Sequence, residues 1–262
     1  MHSNNEVGTI QPIREITQCV KQYNSQLQGD ACVLVHTDAA QSLGKVLVDV
    51  QHLETDLVTI VGHKYGAPKG VAALYMRTGV QAPQMLVGGG QERGIRSGTE
   101  NVALVAGLGE ASRLALAESG SMLLHLLSLK HRLVSALLQG GGSAHTALRG
   151  AMTLDVLQQL PNTVSVSFQG IRSYEIIAAL SEKVACSAGS ACHAVHTTEN
   201  SSSTEGKPPV EVKMSDVLAA MGVPEDFGFG TLRLSFGRHT TEKDIDTAVE
   251  HIITAIKTAW EK

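Results

Sequence analysis

Four side chains at the ends of two apolar runs offer the first chemistry in this sequence. Asp38 and Gln41 lie in His36-Thr37-Asp38-Ala39-Ala40-Gln41, and Gly62-His63-Lys64 places Lys64 26 residues after Asp38. Ala31-Cys32-Val33-Leu34-Val35 precedes the first group and Leu57-Val58-Thr59-Ile60-Val61 the second. Short apolar, β-branched runs joined by a crossover predict neighbouring buried strands of a parallel sheet. Open α/β sheets bind ligands beyond the carboxyl ends of their strands, so the four side chains are expected to converge there. A lysine able to condense with an aldehyde, beside an acid able to hold a protonated pyridine nitrogen, is what pyridoxal phosphate chemistry requires. Taken singly, the same residues suit plainer roles: a solvated lysine past a strand, and an Asp that caps a turn or helix.

Several function classes are disfavoured by composition. The 262 residues suffice for two modest domains with a substantial core. Hydrophobic residues make up 43% but aromatics only 3%, so the core must be aliphatic, which suits helices packed on a parallel sheet. A net charge of −4 without a long basic run gives no footprint for nucleic acid. No apolar stretch reaches the ~18 residues of a membrane span, and no signal peptide opens the chain. Four cysteines form no disulfide framework, which points to a reducing compartment and thus to the cytosol.

The elements that must position these groups follow from periodicity. Apolar positions between 14 and 28 predict a first helix, stopped by Gly29-Asp30. Val71–Met76 reads as a strand returning after the Tyr65–Gly70 turn, and Gly88–Arg93 as a flexible loop. Helical spacing runs from Thr99 to about Gln139 with a break near Ser119-Gly120, as a connector into a second domain. There, strands are expected at Thr163–Phe168 and Leu232–Phe236, and helices at about Tyr174–Glu182, Ser215–Met221 and Glu242–Lys257. The run Thr240–Asp244 can cap the last helix. Residues 193–213, rich in Ser, Thr, Glu and Pro, read as a mobile loop.

Several of these segments also carry a resemblance. Asn4-Asn5-Glu6-Val7-Gly8, HTDAAQSLGK, VGHK, GGGQERGIRSGTEN and SAGSACH together resemble the NifS-like cysteine desulfurases and selenocysteine lyases. These belong to the class V aminotransferase group of fold-type I pyridoxal-phosphate enzymes. The resemblance implies a three-layer α/β/α cofactor domain, partial here over residues 1–105, then a connector helix and a small C-terminal α+β domain over 106–262. Met1 opens almost directly on a segment that lies mid-domain in the family. The family's first third is therefore expected to be missing, with a histidine stacked on the cofactor ring and a Gly-Thr phosphate turn.

The resemblance assigns roles residue by residue. Lys64 is implied to be the Schiff-base lysine and the base that moves the Cα proton. Asp38 would hold the pyridine nitrogen by a charge-assisted hydrogen bond. Gln41 would contact the ring hydroxyl, Asn5 that hydroxyl or the substrate carboxylate, and His63 the phosphate. Thr99, in the cationic Gly88–Thr99 loop, is implied to reach a partner's cofactor across a homodimer interface, so that two chains share a site. An arginine flanked by leucines, as in Thr231–Ser235, either faces solvent on an edge strand or has a dedicated partner. The family's Arg-aliphatic-Ser-x-Gly-Arg element favours Arg233 as a bidentate clamp for the substrate carboxylate.

Cys192 sits in a small-residue loop, with His193 and His196 nearby to favour its thiolate. It is implied to act on the substrate's sulfur or selenium. Metal binding by Cys186, Cys192, His193 and His196 is the competing reading, disfavoured because adjacent Cys192-His193 is poor geometry for one tetrahedral ion. Cys19 and Cys32 are expected in the core. Overall, the motif variants favour release of selenium from L-selenocysteine to give L-alanine, with a possible selenium or sulfur acceptor protein. Cysteine desulfuration through an enzyme persulfide is the alternative, and a catalytically inactive dimerisation partner is the non-enzymatic one.

Overall fold

A computed structural model describes residues 1–27, 32–140, 146–149, 158–188 and 214–261. Cys192, His193, His196 and the 193–213 loop lie outside the described residues. The chain divides into two compact units, Met1–Asn4 with Thr9–Leu123 and Asn5–Gly8 with Leu124–Lys262.

The first unit carries a three-stranded sheet in the order β1 (His36–Asp38), β2 (Leu57–Val61) and β3 (Ala72–Met76). β1 runs parallel to β2, with Asp38 opposite Thr59, and β3 returns antiparallel. Between β1 and β2 the chain makes a crossover that includes the short helix α2 (Val50–Leu53), as parallel pairing demands. β2 forms where its β-branched run predicts, with Val58 wholly buried. The other residues of β2, the central strand, are half-buried rather than buried.

Two expectations fail here. Strand geometry starts at His36 and not within residues 32–35, because the Asn24 side chain occupies the backbone before it. Asn24 accepts from Val33 N and donates to Val33 O, both at 2.9 Å, and Val35 N donates to the Asp56 carboxylate at 2.7 Å. Cys32 is exposed beside that polar contact. Cys19 is exposed as well, on α1 (Ile13–Asn24). The buried stripe there is Ile13 and Thr17, one helical turn apart, and Cys19 lies on a different face.

The amino-terminal residues of this unit are pinned beneath β1. His2 N donates to Asp38 O at 2.6 Å, and the His2 ring shares a 2.6 Å hydrogen bond with the Ser42 hydroxyl. Ser42 also bonds Ser3, and all three residues are buried. α3 (Val102–Ala117) and the start of α4 (Ser119–Gly140) follow, so the helical connector breaks where Ser119-Gly120 predicts.

The second unit is built on an antiparallel sheet in the order β4 (Thr146–Arg149), β5 (Thr163–Phe168) and β6 (Thr231–Ser235). β5 is buried along its whole length, and β6 falls within one residue of its expected bounds. β4 has no expected counterpart. The core joins Val164, Val166, Leu232 and Leu234 of the sheet to Ile176 and Leu180 of α5 (Ser173–Leu180) and Ile252 of α8 (Glu242–Trp260). Two short helices, α6 (Asp216–Ala220) and α7 (Glu225–Gly228), precede β6. Thr241 and Asp244 form the capping box expected at the start of α8. Arg132 of α4 holds α8 from outside, with paired bonds to Asp246 at 2.6 and 2.7 Å and a third to Glu242 at 2.9 Å.

Two outcomes follow from this packing. Ile252 is fully enclosed, and Ile252→Ala should cost about 2–5 kcal/mol, read as a lower urea midpoint with unchanged slope. Burial first, and then the chain-terminal amine, hold the His2 imidazole below its ordinary pKa. An unfolded chain therefore takes up a proton near 6.5 that the folded chain resists, and stability must fall as pH drops through that region. Thermal midpoints between about pH 7.5 and about pH 5 should decline, and His2→Gln, which can still bond Ser42, should flatten part of that slope.

Candidate active site

Asp38 is the last residue of β1, and the chain turns immediately after it. Its carboxylate accepts from Ala40 N at 2.7 Å, while Ala39 N donates to Thr59 O at 3.0 Å and ties the turn to β2. Ala39 is fully buried, leaving Asp38 and Gln41 half-buried on either side of it. Asp38 thus keeps acceptor capacity beyond its own turn, as a carboxylate with two oxygens allows.

Glycine is required at the end of β2. A side chain at Gly62 would meet Ala67 Cβ and Leu108 Cδ1 at 2.9 Å and Val71 O at 3.0 Å. With no side chain there, β2 passes directly into a single 3-10 turn, Gly62–Lys64. Tyr65 N and Ala67 N both donate to Gly62 O at 3.1 Å. His63 and Lys64 are exposed on the outside of this turn. Tyr65 is held by Ser112 of α3, with 3.1 Å between the hydroxyls.

The Asp38 turn and the Lys64 turn touch. Gly44 has φ +75°, and a Cβ there would lie 2.8 Å from Tyr65 Cβ, so main chain packs directly against the residue that follows Lys64. The next residue, Lys45, donates from Nζ to Gln41 O at 2.8 Å. Burial first, and then repulsion from the Lys64 ammonium, push the Lys45 amine down to about 8. Asp38, Gln41, His63 and Lys64 are therefore carried by two consecutive turns of one unit.

Thr99 also belongs to the first unit, exposed at the end of the Gly88–Thr99 loop. That loop is organised from within. Gly98 N donates to the Gln91 side chain at 3.3 Å, Ser97 Oγ to Val87 O at 3.1 Å, and Arg96 to Gly98 O at 3.2 Å. Arg96 also pairs with Glu92 at 3.4 Å, so part of the expected cationic character is neutralised locally. Arg93 takes a left-handed conformation, φ +60°, in the turn between them.

Asn5 and Arg233 fall in the second unit. Arg233 is half-buried on β6, and its Nη1 donates to Asn5 O at 2.9 Å. β6 is an outer strand of its sheet, and Arg233 also pairs through its backbone with Ser187, Arg233 N donating to Ser187 O at 2.7 Å. The two residues implied to meet substrate carboxylate are thus bonded to each other. The same segment is fixed further on, where Ser215 Oγ donates to Glu6 and Val7 packs with Leu218 and Val223. Cys186 is half-buried, and burial raises its thiol above the ordinary range. Among the described residues no group of His, Cys, Asp and Glu is arranged to hold a metal ion.

Sequence reasoning did not single out His2, Ser42, Gly44 or Lys45. The last three lie inside the HTDAAQSLGK stretch, but nothing in their spacing separates a buried lysine from a solvated one. Only the close approach at Gly44 gives them their setting.

Comparison with known proteins agrees with this architecture. The family described as aminotransferase class-V matches residues 1–248. A cysteine desulfurase IscS of Methanosarcina thermophila is 41% identical over 251 residues, covering 95% of this chain and 55% of that protein. A human selenocysteine lyase is 38% identical over 262 residues, covering 98% of this chain and 55% of that protein. Among solved structures, a NifS-like protein superposes with TM-score 0.79 at 33% identity, covering 98% of this chain and 60% of that one. The chain spans little more than half the length of the curated relatives it matches. Its α/β architecture is that of the NifS-like fold-type I proteins, and the chain belongs to the aminotransferase class-V family.

Proposed function

We propose that this chain carries the site of a pyridoxal-phosphate lyase that removes selenium from L-selenocysteine and leaves L-alanine. The observation that carries the reading is the placement of Asp38 and Lys64 at the carboxyl ends of adjacent parallel strands, β1 and β2. The donor set fits the cofactor: a half-buried carboxylate with spare acceptor capacity stands one strand from an exposed primary amine, with an imidazole beside it. When bound, pyridoxal phosphate supplies an electron sink for charge developing at the substrate Cα.

Each residue then has a task. Lys64 would bind the cofactor covalently through its amine, and once displaced by substrate would carry the Cα proton. Asp38 would accept a hydrogen bond from the pyridine nitrogen and keep it protonated. Gln41 would bond the ring hydroxyl, Asn5 that hydroxyl or the substrate carboxylate, and His63 the phosphate. Arg233 would bind the substrate carboxylate, a role supported by its bond to Asn5 O, which links the two residues given to that carboxylate. Cys192 would meet the chalcogen.

A cysteine desulfurase is the second reading, favoured by the 41% identity to the archaeal protein of that name. In both readings Thr99 would serve a partner's site in a homodimer. Exposure of the apolar residues flanking its loop, Val87 at 87% and Val102 at 74%, supports an interface there. An acceptor protein for the released selenium or sulfur, and a cytosolic setting, complete the proposal. No described helix is long and apolar enough to cross a membrane.

The deciding experiment adds pyridoxal phosphate to the purified chain and records visible absorbance before and after borohydride, beside Lys64→Ala. The expected result is a visible band that borohydride converts to a stable adduct on Lys64, lost in the variant. Turnover of selenocysteine against cysteine then ranks the two substrates. A chain that takes up no cofactor on Lys64 would overturn the enzymatic reading and favour an inactive dimerisation partner.

A further inference from the structure

Lys130 of α4 carries a charge that no role above uses. The buried face of α4 runs through Leu126, Leu129, Leu133 and Leu137, and Lys130 stands at its edge, four residues after Leu126 and three before Leu133. It is half-buried there, and its Nζ donates to Leu160 O at 3.0 Å and to Gln159 Oε1 at 3.2 Å. Both acceptors are neutral, so these charge-assisted bonds, rather than an ion pair, offset the loss of water around the ammonium. What they hold is the seat of the Asn5–Gly8 tip. Leu160 is fully enclosed, and while its carbonyl accepts from Lys130 its N–H donates to Gly8 O at 2.8 Å. A Cβ at Gly8 would lie 3.5 Å from Leu160 Cβ and 3.4 Å from Thr163 Cβ, so the tip rests directly on this stretch. At the other end of the tip, Asn5 O accepts from Arg233 Nη1 at 2.9 Å. Every member of this chain of contacts belongs to the second unit.

We propose that Lys130 is a positioning residue for substrate carboxylate binding: by fixing Leu160 it holds the Asn5–Gly8 tip, and with it Asn5, against Arg233. The inference rests on the reading of Asn5 and Arg233 as the carboxylate-binding pair, but the hold on the tip does not require cofactor or substrate. The path is short, because a single residue, Leu160, is bonded to Lys130 on one side and to Gly8 on the other. Without the ammonium, the tip keeps the bond of Asn5 O to Arg233 and that of Glu6 to Ser215, so it loosens at its Gly8 end without coming away. A group that must meet a ligand together with an arginine loses affinity once its own support is loose, since ordering it is then charged to binding.

The test uses the full chain, first without cofactor. Residue-resolved amide hydrogen exchange compares Leu160 with the amides of β5. Lys130→Met, similar in length but unable to donate, should speed exchange at Leu160 about tenfold and leave β5 unchanged. Lys130→Arg, which can still donate to both oxygens, should restore slow exchange. In the cofactor-loaded chain, Lys130→Met should raise KM for selenocysteine or cysteine about three- to tenfold, with kcat within about twofold of the parent. Unchanged exchange at Leu160 would overturn the proposal. So would acceleration by one factor at Leu160 and throughout β5, which is what a merely structural role predicts, or an unchanged KM beside fast exchange at Leu160. Should Lys130→Met fail to fold, Lys130→Gln, polar but a bond too short to span the same gap, takes its place with the same expectations. Failure to trap cofactor on Lys64 overturns the reading of the site, whereas exchange at Leu160 reports on the hold of Lys130 alone, so the two results separate.

Discussion

The pairing of His36, Thr37 and Asp38 with Leu57, Val58 and Thr59 fixes where Asp38 and the turn that follows it stand beside β2. A strand's side chains alternate with period two, so a slip of one residue would send Asp38 to the opposite face. Two features guard that register. The buried Ala39 binds across to Thr59, and the His2, Ser3 and Ser42 cluster ties the amino-terminal segment to the strand end through Asp38 O. Beyond β2, Gly62 plays the matching part, since any side chain there would run into Ala67, Leu108 and the Val71 carbonyl where the chain leaves the strand to present His63 and Lys64.

How much of this was legible in the sequence depended on whether a local signal or a distant contact decided the outcome. β2 is an almost unbroken β-branched run and β5 alternates valine with serine before Phe168, and both formed where expected. Capping chemistry located α8, and the Ser119-Gly120 break separated α3 from α4. β1 was displaced because Asn24, a residue of the preceding helix, supplies the hydrogen bonds that a neighbouring strand would have given Val33. Apolar content alone cannot foresee a side chain standing in for a backbone. Cys19 misled for a related reason: a helical stripe can be drawn through it, but the stripe actually buried runs through Ile13 and Thr17.

The candidate site divides along the same line. Acid, amide, imidazole and amine were readable at their strand ends, because residue type and position past a strand suffice to suggest them. Lys45 was not, since its surroundings come from the approach of Gly44 to Tyr65, two segments about twenty residues apart. Arg233 lay between these cases. Its position within a strand flanked by leucines raised the question of a partner, and the partner is the carbonyl of Asn5, 228 residues away in the chain.

That last contact gives the Asn4–Gly8 motif a mechanical reading. Ser3 bridges Ile10 and Asn4 N binds Thr9 O, so the base of this loop belongs to the first unit. Its tip, Asn5–Gly8, belongs to the second, through Arg233, Ser215 and the packing of Val7 with Leu218 and Val223. Gly8, at φ +79°, lets the strand-like base become a tip whose carbonyl accepts from Leu160 N at 2.8 Å. Within the second unit the motif acts mainly through its own main chain, for the Asn5 and Gly8 carbonyls accept from Arg233 and Leu160, while the Glu6 carboxylate accepts from Ser215.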